Sequence, residues 1–323
     1  MKTVLILALD GVMDSSLAIS LDTLRTGQAF LSSAGKPARV QVLVAGYRKT
    51  VRTGAGLQLK PDLTFAEAMG QGTWPDWIVI PGLGLVSEEA ITARFGQKDM
   101  AAAMELLRQA PRTVRVGASC SSVFLLAEAG LLSGRTVTMT WWLASIFRAR
   151  YPDIKLDETK MLARDGPYLT SGSAYSQLDL MLAIVTDTMG TSIAHLCSRY
   201  LLIDQRPSQA RYMMHAHAQH VDPVVVAAER WIDAHLAEPI SIADLATELA
   251  VSPKTLARRI EAATGVSPVK FLQRRRLLHA SHLIETTSLS IEAIAARVGY
   301  QDGTALRKLV KREFGTTPAA LRG

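Results

Sequence analysis

Up to about residue 205, apolar residues gather in short continuous runs: TVLILAL (3–9), ARVQVLVA (38–45), WIVIPG (77–82), TVRVGA (113–118) and TVTM (136–139). Runs that are apolar at nearly every position, rather than at every second one, predict strands covered on both faces. Between them, helical stretches are predicted over 16–32, 88–109, 123–129 and 175–189. Strand-helix alternation of this kind predicts an α/β fold built on a doubly wound parallel sheet. After Pro223 the strand-type runs stop. Apolar residues then recur at helical spacing, for example Ile242, Leu245, Leu249 and Ile291, Ile294, Val298, which predicts an all-α region of about seven helices.

The stretch 204–223 (DQRPSQARYMMHAHAQHVDP) breaks both rhythms with two prolines, three histidines and mixed polarity. A boundary there gives a domain over 1–205, a linker over 206–221 and a second domain over 222–323. The length of 323 residues, about twice a common domain, agrees with two domains. With 48% apolar and 20% charged residues the composition is globular. Two cysteines, Cys120 and Cys197, exclude a disulfide framework and fit a reducing cytoplasm. The opening MKTVLILALDG is interrupted at once by Asp10 and Asp14, so it reads as a first strand rather than a signal peptide. No apolar run reaches the ~18 residues of a membrane helix, so no membrane partner is expected.

The net charge of +7 permits a polyanionic partner, yet only +3 of it falls from Asp222 onward, where 14 Lys/Arg face 11 Asp/Glu. The useful signal is local. Seven basic residues and one acid, Glu261, lie between Lys254 and Arg276.

Two segments there share one plan. In 241–268, Ser241 is a plausible N-cap, Asp244 sits in the first turn, Ala246 allows a close crossing, and Ser252-Pro253 restarts a helix. That helix hides Leu256 and Ile260 and leaves Lys254, Thr255, Arg258 and Arg259 available. In 288–318, Ser290 caps, Ala295 is the small crossing residue, Gly299 ends the helix and Asp302 opens the next. The latter hides Leu306, Leu309 and Val310 and exposes Thr304, Arg307, Lys308 and Lys311. Both segments end alike, in Gly265-Val-Ser-Pro268 and Gly315-Thr-Thr-Pro318. A helix fits the major groove of DNA, where its outer polar residues reach base edges while Lys and Arg neutralise phosphates.

These motifs, with Ile242-Ala-Asp-Leu-Ala246, Ile291 to Tyr300 and Arg312-Glu-Phe-Gly315, resemble the AraC/XylS family DNA-binding domain. The resemblance implies a double-stranded DNA operator as partner. It also implies base-reading positions at Lys254, Thr255 and Arg258, and at Thr304, Ala305 and Lys308. Where that family usually has phenylalanines, this chain has Leu306 and Val310.

In 113–142 a buried strand runs into Gly117-Ala-Ser-Cys120, and an apolar helix follows. A cysteine at such a helix N-terminus is expected to have a lowered thiol pKa, which suits a nucleophile. Gly82-Leu-Gly84, after another strand, is placed to supply backbone N–H donors. The pattern resembles the PfpI-like branch of the class I glutamine amidotransferase-like superfamily, which implies a flavodoxin-like fold. With Ala127 to Leu132 and Tyr168 to Gly172, the whole chain resembles the GlxA-like group of AraC family regulators.

That resemblance puts Cys120 at a nucleophile position, but the next residue is Ser121, and the group's frequent Thr-x-His-Trp reads Thr138-Met-Thr140-Trp141. A cysteine without a base is a poor hydrolase nucleophile, so the expectation is a non-catalytic pocket used for sensing. Its candidate lining is Asp14, Gly82, Leu83, Cys120, Ser121, Trp141 and Ser173. A Trp at its mouth, 141 or 142, is suited to stacking on a ligand or a cationic group, although tryptophans of this kind more often serve a core or a dimer. His215, His217 and His220 lack an accompanying Cys or carboxylate and are not read as a metal site; no metal or cofactor is expected. Cys197 reads as a buried core thiol.

The leading expectation is a cytoplasmic, sequence-specific DNA-binding transcriptional regulator, an activator by resemblance, that senses a small-molecule effector and forms a homodimer through its N-terminal domain; RNA polymerase is a further partner on this reading. Two alternatives stay open: a cysteine-dependent hydrolase or lyase, and a redox sensor acting through Cys120.

Overall fold

A computed structural model of the chain describes residues 1–33, 40–70, 72–204, 206–213 and 222–322, and it divides into two compact units, Met1–Leu143 with Asp153–Pro207, and Ala144–Pro152 with Ser208–Gly323. The three histidines at 215, 217 and 220 lie outside the described residues.

The first unit opens with β1 (Lys2–Ala8), α1 (Asp14–Ser33), β2 (Val40–Gly46), β3 (Val51–Arg52), β4 (Gln58–Leu59), β5 (Leu63–Thr64), α2 (Phe65–Gly70) and β6 (Trp77–Ile80). Then come α3 (Glu88–Phe95), α4 (Lys98–Gln109), β7 (Arg115–Ser119), α5 (Val123–Glu128) and β8 (Thr136–Val137). After α6 (Ala144–Arg150), which clusters with the second unit, follow β9 (Lys155–Leu156), β10 (Leu162–Asp165), β11 (Tyr168–Ser171), α7 (Gln177–Met189) and α8 (Thr191–Tyr200).

One seven-stranded sheet runs in the order β10-β11-β7-β6-β1-β2-β5. All its pairings are parallel except β10 with β11. The strands β1 and β6 are buried on both faces, which is why their sequences show no alternation. On one face, Val4, Ile6 and Ala8 of β1 pack with Leu17 and Leu24 of α1 and Leu180 and Ile184 of α7, and Cys197 of α8 is buried in the same cluster, as a core thiol should be. The chain leaves β1 toward β2 on one side and returns to β6 on the other. In open sheets of this kind the crevice that takes a ligand lies at the carboxyl ends of the parallel strands, where the strand order reverses.

Two local expectations change. The run 136–139 does not join the main sheet: β8 pairs with β9 in a separate two-stranded sheet. Side chains intercept its amides, since Thr136 N–H donates to Asp165 Oδ2 (2.9 Å) and Thr138 N–H to Thr170 Oγ1 (2.9 Å). The sheet edge is instead the β10–β11 hairpin, whose turn at Asp165-Gly166-Pro167 uses a left-handed glycine (φ +58°). The predicted helix 88–109 is two helices, broken at Gly96-Gln97 and clamped by an ion pair between Arg94 and Asp99, which also accepts Asp10 N–H (3.0 Å).

From residue 222 onward the described chain forms seven helices: α9 (Pro223–Ala234), α10 (Ile242–Glu248), α11 (Pro253–Thr264), α12 (Pro268–Thr286), α13 (Ile291–Arg297), α14 (Gly303–Phe314) and α15 (Pro318–Arg322). They enclose two separate cores. One joins Val225 and Ile232 of α9, Leu245 of α10 and Leu256 and Ile260 of α11. The other joins Ile294 of α13, Leu306, Val310 and Phe314 of α14 and Leu321 of α15. The long α12 serves both, giving Phe271 and Leu272 to the first and Leu277, Ala280 and Ile284 to the second. No helix among the described residues is long and apolar enough to cross a membrane.

Candidate functional site

The pocket candidates of the first unit gather at the carboxyl ends of β1, β6, β7 and β11. Cys120 follows β7 directly and takes a left-handed conformation (φ +55°), a backbone state that costs an L-residue about 1–2 kcal/mol and needs local support. Its N–H donates to Gly172 O (2.8 Å), just past β11. Gly82, just past β6, faces it closely: a Cβ at that position would lie 3.2 Å from both Cys120 Cβ and Ser16 Oγ. Ser121 Oγ accepts the N–H of Leu85 (3.1 Å), so the Gly82-Leu-Gly84 loop is tied to the cysteine turn. Leu83 is buried, and Thr140 Oγ1 lies 3.5 Å from Ser173 Oγ.

Two candidates have other work. Asp14 begins α1 and its carboxylate holds the loop after β3, accepting from Thr53 Oγ1 and from Ala55 N–H (2.8 Å). Those two hydrogen bonds, Thr53 first, hold its carboxyl below the usual carboxylate range. It borders the crevice through Met13, whose N–H donates to Gly82 O (2.8 Å). Trp141 is 6% exposed and meets Trp142 edge to face (centroids 5.3 Å apart), so it is a packed wall rather than an open mouth.

The thiol itself overturns the electrostatic expectation. Burial pushes the Cys120 thiol above the ordinary cysteine range. The N–H groups of Ala174 and Ser121 and the hydroxyls of Ser121 and Thr140 pull the other way without overcoming it. The helix that follows is only a 3-10 turn (Cys120–Ser122) and the short α5, so it offers little dipole against full desolvation. Cys120 is held as a neutral thiol among amides and hydroxyls.

Sequence reading missed the polar groups beneath this turn. Ser16 and Ser119 are fully buried, and their Oγ atoms have no hydrogen-bond partner among the described residues; the same holds for Gln177 Oε1, although Gln177 Nε2 donates to Ser20 Oγ (2.8 Å). Orphaned buried acceptors are costly and mark a place where a water or a ligand group completes the network. The signal was present in α1, where Ser16 and Ser20 fall on its buried face beside Leu17 and Leu24.

In the second unit, α10 with α11 and α13 with α14 form two equivalent helix pairs. The first opens with a capping box in which Ser241 Oγ accepts Asp244 N–H (3.0 Å) and Asp244 reaches back to Ser241. Ser252 caps α11 through Thr255 N–H (3.1 Å), and Asp302 caps α14 through Ala305 N–H (2.7 Å). The two caps are fifty positions apart, as are the left-handed Gly265 and Gly315 that end α11 and α14. Leu306 and Val310 fill the second core fully.

The outer faces carry the basic candidates. Lys254, Arg258, Thr304, Lys308 and Lys311 are exposed, while Thr255 and Ala305 are half-buried beside their caps. Arg259 pairs with Asp222 (3.2 Å) and Arg307 with Glu292 (2.8 Å). The three arginines 274–276 face inward: Arg274 pairs with Glu313 (3.0 Å), Arg275 with Glu229 (3.0 Å) and Asp233, and Arg276 bonds two carbonyls. Part of the basic run is therefore internal glue, and the outward positive charge is narrower than the sequence count.

Residues 2–187 match the DJ-1/PfpI family, more than half of the chain. The chain belongs to the DJ-1/PfpI family. Residues 245–323 match a helix-turn-helix domain, so the chain is a DJ-1/PfpI domain followed by an AraC-type helix-turn-helix domain. Among similar proteins is the HTH-type transcriptional regulator GlxA of Rhizobium meliloti, 28% identical over 233 residues, covering 69% of this chain and 70% of that one. The HTH-type transcriptional regulator GbdR of Pseudomonas aeruginosa is 25% identical over 309 residues, covering 89% of this chain and 79% of that one. The crystal structure of Drosophila melanogaster DJ-1beta shares the DJ-1/PfpI fold, with a TM-score of 0.51 and 21% identity over 63% of this chain and 99% of that one.

Proposed function

We propose that this DJ-1/PfpI chain is a sequence-specific, DNA-binding transcriptional regulator working in the cytoplasm, whose first unit senses a small molecule without catalysing a reaction. The observation that carries the reading is the paired construction of the second unit. Two capped helices, α11 and α14, present Lys254, Thr255 and Arg258, and Thr304, Ala305 and Lys308, from equivalent positions, and α14 adds Lys311. Each is shaped to lie in a major groove, with its outward side chains toward base edges and its positive charge next to the phosphates. The relatives named as transcriptional regulators support it.

The sensing role rests on the crevice of Gly82, Leu83, Cys120, Ser121, Trp141 and Ser173, bordered by Asp14. The thiol there is neutral and its hydrogen-bond partners are amides and hydroxyls, so it lacks the activated state that a hydrolase or lyase requires. The orphaned Ser16 and Ser119 hydroxyls, which donate or accept, and the Gln177 amide oxygen, which accepts, favour a small polar effector. Effector binding that favours one arrangement of a homodimer on its operator then regulates transcription, as an activator on the family resemblance.

The test selects operator fragments from the source genome and titrates them with the full chain across a salt series. Arg258→Ala and Lys308→Ala are each expected to weaken binding and to lower the slope of log K against log salt by about 1. Slopes that neither substitution changes would reject the assignment of these helices.

A further inference from the structure

Among the described residues the two cores of the second unit share only α12, so something must fix one helix pair against the other. Arg276 lies on α12 at the point where its inward side chains change allegiance, between Leu272 of the first core and Leu277 of the second. Beside it, Arg275 binds Glu229 and Asp233 of α9 on the first side, and Arg274 binds Glu313 of α14 on the second. Arg276 serves both. Its Nη2 donates to Glu238 O (2.6 Å), in the connection between α9 and α10, and its Nη1 donates to Gly299 O (3.1 Å), in the turn between α13 and α14.

Three further observations show that this junction is built closely. A Cβ on Gly299 would lie 2.4 Å from Leu236 O and 2.7 Å from the guanidinium carbon, so the turn of the second pair packs directly on the connection of the first, and its left-handed φ of +75° favours glycine. Arg276 forms no ion pair among the described residues, although burial works against its charge. Its Nε and the hydroxyl of neighbouring Tyr300 are both buried without a partner, and burial pushes Tyr300 up to about 12. A guanidinium that forgoes a carboxylate to span two carbonyls has its rigid fork used as a spacer.

We propose that Arg276 is a positioning residue that sets the separation and rotation of α11 relative to α14, and through it the spacing between the two operator segments that the chain accepts. The inference rests on the reading of the chain as a DNA-binding regulator. Loosening the bridge leaves each recognition helix intact, so it changes which spacing is tolerated more than which bases are read.

The test uses the full chain and an operator selected by the native protein, with variants carrying one base pair inserted or removed between the two contacted segments. One base pair moves a segment by about 3.4 Å and about 35° around the axis. For the native chain this is expected to cost tenfold or more in affinity. Arg276→Met keeps the apolar stem and removes both hydrogen bonds. It is expected to weaken binding at the native spacing by about threefold to tenfold and to cut the penalty for the altered spacing to threefold or less. Arg276→Lys keeps the charge but has no fork to span both carbonyls, so it is expected to fall between; it also gives the decisive reading if the Met variant does not fold. A spacing penalty as steep in the variants as in the native chain, whatever the overall affinity, would overturn the proposal. Failure of the native chain to select any operator would instead overturn the regulator reading itself.

Discussion

Replacing Arg275 by Met separates structural from DNA-facing charge in the basic run. Arg275 is 4% exposed; it donates to Glu229 Oε1 (3.0 Å) and to both carboxylate oxygens of Asp233. Removing one partner of a buried ion pair costs about 3–5 kcal/mol, because the opposite charge stays behind without water. The lower end applies here, since the Asp233 side chain is 31% exposed and keeps His279 Nε2 at 3.1 Å. About 3 kcal/mol corresponds to roughly a hundredfold faster amide exchange for protected N–H groups that open with the second unit. Hydrogen exchange followed by mass spectrometry on the full chain places the effect: peptides from α9 and α12 accelerate by that factor and those from α1 and α7 stay unchanged. Adding Glu229→Gln to Arg275→Met is expected to recover part of the loss, giving a coupling of about 1–3 kcal/mol. Acceleration below about fivefold in α9 and α12 would refute the reasoning, because the carboxylates would then be reaching solvent by themselves.

The same cluster carries a pH dependence. Burial works to raise the Asp233 carboxyl, but the hydrogen bonds from His279 and Arg275 outweigh it and hold the group below the usual range. Its stabilisation is therefore present above the ordinary carboxylate pKa and lost as pH falls through the folded value; exchange in α9 measured down a pH series, corrected for intrinsic rates, should rise there. Ala250 sits at φ +51° where the second helix pair has Gly299, so Ala250→Gly is expected to raise stability by about 0.5–1 kcal/mol in urea unfolding; a loss would show that the turn is unstrained. Cys120, buried and neutral, is expected to react with iodoacetamide at pH 7.5 at least about tenfold more slowly than in urea, and Cys120→Ala is expected to keep operator affinity within about twofold; rapid labelling of the folded chain would restore the nucleophile or redox readings.

Much of the fold was legible because its signals are local. Continuous apolar runs marked β1, β2, β6 and β7, and caps and turn glycines marked α10, α11, α13 and α14 closely. The misreadings were decided by partners distant in sequence. TVTM has strand composition, but Asp165 and Thr170 claim the amides that would have joined it to the sheet. The break between α3 and α4 turns on Gly96 together with an Arg94–Asp99 contact that also engages Asp10. Cys120 was found from its strand-to-turn position, whereas the direction of its shift depends on burial, which no local motif reports. The inward use of arginines 274–276 was not legible in the basic run because their carboxylate and carbonyl partners lie some forty positions away on other helices and connections, apart from Gly299 at a shorter reach.

The central claim, that α11 and α14 read DNA together, is tested most directly by hydroxyl-radical footprinting of the full chain on a selected operator, beside the Lys254→Ala/Arg258→Ala and Thr304→Ala/Lys308→Ala double variants. The account predicts two protected major-groove segments about one turn (~34 Å) apart, with each double variant losing protection of one segment only. Uniform protection that both variants weaken equally would contradict it.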